Sequence, residues 1–311
     1  MSFLMQLNPF AKRQPSRPLG GLTSARRVSI ISLLSIVVVL GGCSALRLGY
    51  NNAPTVAYWW LDRYFDFDAA QSVRVRADLK ALHDWHRAEE LPRAAELLRK
   101  LRQGTPQDTS AELLCGLYGD VKDRGVVGLE RMVPTLAAVV PTLQDAQIAR
   151  IASQFDKRNQ DWREEWLDGT PAQRAERRVK KMLSRAETFY GDLSPEQTAL
   201  VPGLLGASGN DADTLFQERL LRQKDALQTL RTLRDTPNTT PAQREAAIQA
   251  LLDRAVQPTD PLVRQALARW SGQGCAVAAA LHNSSSPAQR LRMADTLQRY
   301  EGDVQALIAQ R

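Results

Sequence analysis

The chain has 311 residues, 41 Lys and Arg against 34 Asp and Glu, a formal net charge of +7, and three cysteines. Five of the basic residues, Lys12, Arg13, Arg17, Arg26 and Arg27, precede Cys43, while no acidic residue occurs before Asp62. From Cys43 onward the balance is 36 to 34, so the excess positive charge belongs to the leader and indicates no nucleic-acid partner.

The leader has the layout of a secretory signal: a basic start, then the uncharged run Val28 to Leu40, then small residues. The segment Leu40-Gly41-Gly42-Cys43 resembles the bacterial lipoprotein processing box. That resemblance implies cleavage before Cys43 and acylation of both its sulfur and its new amino group. Ser44, in place of the Asp that commonly marks inner-membrane retention, points to the outer membrane, with inner-membrane anchoring as the alternative. The competing reading is a span. Val28 to Leu46 is uncharged, and at helical rise its length is ~28 Å, just enough to cross. The Gly-Gly pair and the box favour processing. More than one acyl chain anchors firmly, since each buried methylene adds about 0.8 kcal/mol.

The expected organisation is a signal peptide over residues 1–42, a lipidated tether over 43–53, and a helical periplasmic domain over 54–311. One elongated helical assembly and two packed halves meeting near Gly191 both fit that domain. Cys115 and Cys275 are the two remaining cysteines. In an oxidising compartment they form a disulfide; as free thiols they pack as small hydrophobes. The sequence leaves both readings open.

Past the tether, a short aromatic helix is expected to begin near Pro54 and a long one at Asp68, with Val75, Leu79, Leu82 and His86 on one stripe. Pro92 is expected to end or kink it near Leu91. Further helices are expected over Ser110–Val133, Thr142–Leu167, Pro171–Tyr190, Pro195–Leu205, Asp211–Arg234, Pro241–Val256, Pro261–His282 and Pro287–Ala309. One signature punctuates them: Thr170-Pro171-Ala172-Gln173, Ser194-Pro195-Glu196-Gln197, Thr240-Pro241-Ala242-Gln243 and Ser286-Pro287-Ala288-Gln289. The hydroxyl caps a free N–H, proline takes the first helical position, and Gln reaches back to complete a capping box. Asp68-Ala69-Ala70-Gln71 does the same without proline. Ser194, Thr240 and Ser286 are spaced by 46 residues in two equal steps, the size of a two-helix repeat. The fold class is therefore all-α, a multi-helix bundle or an array of helical hairpins.

Candidate chemistry is sparse. His83 and His86 stand at i, i+3, with Glu89 and Glu90 following, but a zinc site needs three or four ligands. The plainer reading buries Trp85 and His86 and solvates the two glutamates. There is no GxSxG, Walker loop or Rossmann glycine fingerprint. The densest basic stretch, with Arg174, Arg177, Arg178, Lys180, Lys181 and Arg185, is a candidate surface for an anionic partner, against the reading of an ordinary solvated face. Tyr58, Trp59, Trp60, Tyr64, Phe65 and Phe67 crowd together soon after Cys43. They suit either a lipid interface or a plug of the first helix against the body, and the neighbouring Asp66 and Asp68 favour the plug.

The segments LRLGYNNAP, YWWLDRYFDFDAAQ, WHRAEELPRAAELLRKL, FYGDLSPEQ and LHNSSSPAQR resemble an uncharacterised family of proteobacterial lipoproteins, most specifically at Tyr50-Asn51-Asn52, Trp85-His86-Arg87 and Glu90-Leu91-Pro92. This resemblance implies an acylated helical envelope protein and supplies no activity. Leu193-Ser194-Pro195-Glu196-Gln197 is similar to the LTxxQ motif of Spy-type periplasmic chaperones, which implies a helical cradle for unfolded clients. The expectation is a non-catalytic binding or scaffolding lipoprotein with no cofactor beyond the lipid on Cys43, held to the membrane by that lipid and engaging an envelope protein. Chaperone-like binding, and a metal or enzymatic role through His83 and His86, are the alternatives.

Overall fold

A computed structural model describes residues 45–206, 211–236 and 238–310. Every regular element among them is helical, and none of these helices is long and apolar enough to cross a membrane. Contacts divide the chain into Met1–Asn52 and the compact unit Ala53–Arg311. Within the first, α1 covers Ala45–Asn51 and has no buried residue.

The larger unit begins with α2, Ala53–Phe65, and α3, Ala69–Trp85. Where the sequence suggests an end or a kink near Leu91, the regular α-helix stops at Trp85 and the chain passes Pro92 without a non-helical break. A π turn over His86–Glu90 carries α3 into α4, Leu91–Gly104, and the Leu91 N–H bonds back to His86 O, five residues earlier. Widening the ladder ahead of the proline, which has no N–H to offer, absorbs it without ending the helix. Then come α5, Ala111–Glu130; α6, Val133–Val139, closing in a 3-10 turn at Val140–Thr142; and α7, Asp145–Trp166. The second series is α8, Pro171–Tyr190; α9, Pro195–Leu205; α10, Asp211–Asp235; α11, Pro241–Val256; α12, Pro261–Asn283; and α13, Pro287–Ala309. The capped helices start where the hydroxyl-Pro-Ala/Glu-Gln boxes place them, because each box supplies two of the orphan N–H partners a helix start needs. Helix α6 is the element missing from the sequence reading. It is short and carries Pro134, with Pro141 closing behind it, yet Val133, Thr135, Ala137 and Val139 are all buried.

The helix pairings repeat with an offset of six. Helix α2 packs on α3 and α7, as α8 packs on α9 and α13; α3 packs on α6 as α9 does on α12. Other pairings cross between the two series, and α10 also packs on α11 and α12 within its own. Helix α4 lies on α13 and α5 on α12, while α10 lies on α7 and α11 on α6, and α5 meets α11. Each six-helix series therefore sends its third and fourth helices onto the other. One apolar core gathers Tyr58, Val75, Leu79, Val140 and Ile148 with Leu230, Leu233 and Ile248 of the second series. The other gathers Tyr190, Val201, Leu205, Val277 and Leu281. Contacts keep Ala53–Arg311 a single compact unit, within which the two series of pairings meet between α7 and α8. Gly191 sits inside the second series, at the α8–α9 turn, with φ of 73°; a Cβ there would come within 2.9 Å of the Arg292 guanidinium. The matching α2–α3 turn holds Asp66 in the same left-handed region, at φ 51°.

Candidate functional site

The most built polar feature is a pair of matching junctions where capping boxes meet. In the second series, Gln197 accepts from Ser194 N (2.9 Å) in its own box, and Gln289 from Ser286 N (2.9 Å). Their amides then bond to each other, Gln197 Nε2 to Gln289 Oε1 at 2.9 Å and Gln289 Nε2 to Gln197 Oε1 at 3.0 Å. The last protons go to main-chain carbonyls, Ser284 O at 3.1 Å and Asp192 O at 2.9 Å. Every donor and acceptor of both amides is used, the condition under which burying them costs nothing in unmade bonds.

The first series repeats this. Gln71 and Gln147 bond reciprocally at 3.4 and 2.8 Å, accept from Asp68 N (3.1 Å) and Gln144 N (2.9 Å), and donate to Thr142 O (3.2 Å) and Asp66 O (3.0 Å). All four glutamines obey one rule: each donates to the carbonyl five residues before its partner. The Thr170 and Thr240 boxes cap their own helices and join no such pair. The 46-residue spacing of Ser194, Thr240 and Ser286 is thus not the repeat unit.

A disulfide joins Cys115 on α5 to Cys275 on α12, with Cα atoms 5.6 Å apart, across one of the crossed contacts. Helix α5 has no buried residue of its own. It is also held by Arg124, whose guanidinium forks onto both oxygens of Glu90, with Nε to Oε2 at 2.9 Å. Glu90 is buried, contrary to its expected solvation, and the Arg124 hydrogen bonds hold its carboxyl below the usual glutamate range. Glu89 is exposed as expected. The sequence reading passed over the second such pair, Arg269 clasping the buried Asp211 at 2.5 Å, because its members are 58 residues apart. It also missed a chain in which the buried His282 bridges Tyr190 Oη (3.0 Å) and Gln107 O (2.8 Å). Burial pushes the Tyr190 phenol up to about 12. Because a carbonyl only accepts, His282 Nε2 donates to Gln107 O, which leaves Nδ1 to meet the phenol.

The residues singled out by sequence are distributed as follows. Leu40, Gly41, Gly42 and Cys43 lie outside the described residues. His83 is half-buried and His86 lies at the surface rather than in the core, with its ring 6.3 Å from that of Trp85. Among the described residues no group of three or more His, Cys, Asp or Glu side chains could hold a metal ion. The basic residues of α8 do not share one outward face. Arg174 donates to Leu167 O (3.0 Å) and Arg177 to Glu165 O (3.2 Å). Arg178 is buried, bonded to Gln273 (2.7 Å) and set 4.7 Å from the Trp270 ring centre, and Lys181 pairs with Glu165. Lys180 and Arg185 face outward. Burial lowers the pKa of Arg178 and Lys181.

The aromatic cluster splits as well. Tyr58 and Tyr64 are buried, Phe65 and Phe67 pack on the first core, and Trp59 points out, 63% exposed. Two shallow grooves occupy matching places between crossed helices. One, of 380 Å³, has Asp156, Arg163 and Phe216 in its lining, between α7 and α10. The other, of 350 Å³, has Pro92, Glu96 and Glu301, between α4 and α13.

Comparison with curated proteins and with solved structures gives no match. A family model, that of a family of unknown function, DUF6279, matches residues 63–260, from the end of α2 through α11 and into the turn before α12. The chain belongs to the family of unknown function DUF6279.

Proposed function

We propose that the protein is an outer-membrane lipoprotein, acylated at Cys43 and facing the periplasm, that binds or scaffolds envelope components without catalysing a reaction. The observation that carries the compartment is the Cys115–Cys275 disulfide, since such bonds persist in oxidising compartments and are rare in the cytosol. Together with the processing box at Leu40 to Cys43, it favours an exported, anchored chain. The buried polar side chains support a non-catalytic role. The four junction glutamines, Glu90, Asp211 and His282 are engaged in tying helices together. The metal alternative is weakened because Glu90, one of the two glutamates that follow His86, is committed to Arg124. The Spy-like motif at Leu193–Gln197 has an architectural explanation in the Gln197–Gln289 junction and so lends chaperone activity no separate support.

Envelope fractionation tests the reading. The wild-type chain is expected in the outer-membrane fraction, with Cys43→Ala accumulating as uncleaved precursor elsewhere. Identical size and distribution of the two would overturn it. In-cell crosslinking is expected to return one reproducible envelope protein, and its absence under conditions that capture known envelope complexes counts against a scaffolding role.

A further inference from the structure

Helix α2 has two faces of opposite character. Tyr58 and Tyr64 are packed inward, at 6% and 7% exposure. On the other side Val56, Trp59 and Arg63 fall at i, i+3 and i+7, one stripe of the helix, and all three are exposed. Among the large hydrophobic side chains found exposed in the described residues, Trp59 is the one aromatic. Helix α1 taken by itself also presents apolar side chains, Leu48 being 67% exposed.

The acidic residues that argue against lipid contact in the sequence are turned away from this stripe or occupied. Asp62 accepts from Tyr58 Oη at 3.3 Å and from Phe67 N at 3.0 Å. Asp66 pairs with Arg150 at 3.4 Å, and Asp68 caps α3 through Gln71 N at 2.8 Å. What the stripe offers is an aliphatic side chain, an indole and a guanidinium. That composition matches the boundary of an anionic bilayer, where amphipathic rings are favoured and cations meet lipid phosphates. Chain length places the stripe within reach. Trp59 follows Cys43 by sixteen residues, and sixteen residues of chain reach at most about 55 Å.

We propose that Val56, Trp59 and Arg63 rest on the membrane to which Cys43 is anchored, with the indole at the boundary of headgroups and acyl chains and Arg63 on lipid phosphate. The proposal rests on the lipid-anchor reading. The contact turns the attachment from a single tethered point into one with a fixed face, so that α2 runs along the bilayer surface and the crossed helices behind it are presented to the periplasm.

The test uses the full processed protein in vesicles of phosphatidylethanolamine and phosphatidylglycerol, with or without brominated acyl chains, which quench nearby indoles. The Trp59 contribution is the emission of wild type minus that of Trp59→Phe, a surface exchange that leaves the core untouched. Brominated chains are expected to cut that contribution by about twofold or more, as for an interfacial ring. Arg63→Glu, which retains Trp59, is expected to reduce the quenching in anionic vesicles and to change it little in purely zwitterionic ones.

Equal Trp59 emission in brominated and plain vesicles overturns the contact. So does shielding of Trp59 from an aqueous quencher that is complete without lipid and depends on protein concentration, which assigns the face to a second copy of the chain. The mass of the N-terminal peptide reports on the anchor separately. An acylated Cys43 with unquenched Trp59 leaves the anchor standing and removes the contact. An unacylated chain removes the anchor, and quenching by added vesicles still decides the contact.

Discussion

Gln197 and Gln289, 92 residues apart, hold each other through reciprocal amide hydrogen bonds of 2.9 and 3.0 Å while each caps its own helix. Glutamine suits this place because its Oε1 accepts two bonds while its Nε2 donates two. Removing either side chain takes away a cap, worth about 1 kcal/mol, and leaves its partner's amide groups unsatisfied at about 1–3 kcal/mol more. Gln197→Ala and Gln289→Ala are therefore expected to lose roughly 2–4 kcal/mol each in urea unfolding. The double variant should lose much less than their sum, since the two share one network. Gln71→Ala and Gln147→Ala should behave alike, while Gln173→Ala, in a box that joins no pair, should lose only about 1 kcal/mol. Additive losses in the double variant would contradict the pairing.

A charge change at the same place gives a pH signature. In Gln197→Glu the new carboxylate has no proton for Ser284 O or for Gln289 Oε1, the two acceptors Gln197 Nε2 now serves. The neutral acid can donate to one of them, so the folded state favours the protonated form and raises its pKa. Stability is retained below the unfolded glutamate value of about 4.3 and lost as pH rises through the raised folded value. The deficit relative to wild type should thus be larger at pH 7 than at pH 4 by denaturant titration.

Much of this architecture is legible in the sequence, and the exceptions share a cause. The helix starts at Pro171, Pro195, Pro241 and Pro287 were read correctly because a capping box is local chemistry, complete within four residues. Helix α6 is absent from that reading because Pro134 within it and Pro141 behind it are loop signals, while its burial against α11 is a tertiary effect. The box at Gln144 was missed because its cap is glutamine rather than a hydroxyl or Asp. The pairing of boxes could not be read at all. Nothing within Ser194–Gln197 says that its partner is Ser286–Gln289 rather than the identically built Thr240–Gln243. The basic run on α8 shows the same limit: charge density is visible in sequence, but the burial of Arg178 against Trp270 is not.

The disulfide closes a long loop, with 160 residues between Cys115 and Cys275 in sequence separation. The chain-entropy relation assigns such a closure about 5 kcal/mol. Replacing both cysteines by alanine should lower unfolding stability by an amount of that order. Helix α5, without a buried residue of its own, should be the first to lose amide exchange protection on reduction. Protection unchanged in α5 but lost elsewhere would contradict its role as the element the bond secures.

Arg124 and Glu90 tie the same helix to the π turn. The pair holds the Glu90 carboxyl below its ordinary value of 4.5, so its stabilisation is fully present above that pH and fades as pH falls through the lowered value. Arg124→Ala should be destabilising at pH 7, since it strands the Glu90 carboxylate, and the difference from wild type should shrink in acid. A pH-independent difference would mean that Arg124 acts through packing alone.

The central claim is that the chain is an exported lipoprotein whose fold begins after Cys43. Intact mass spectrometry of the membrane-extracted protein, read with thiol labelling, tests it most directly. The account predicts a chain starting at Cys43, heavier than its sequence by fatty-acyl groups, with no labelled thiol because Cys115 and Cys275 are joined. A membrane form that begins at Met1 and carries a labelled Cys43 would contradict it.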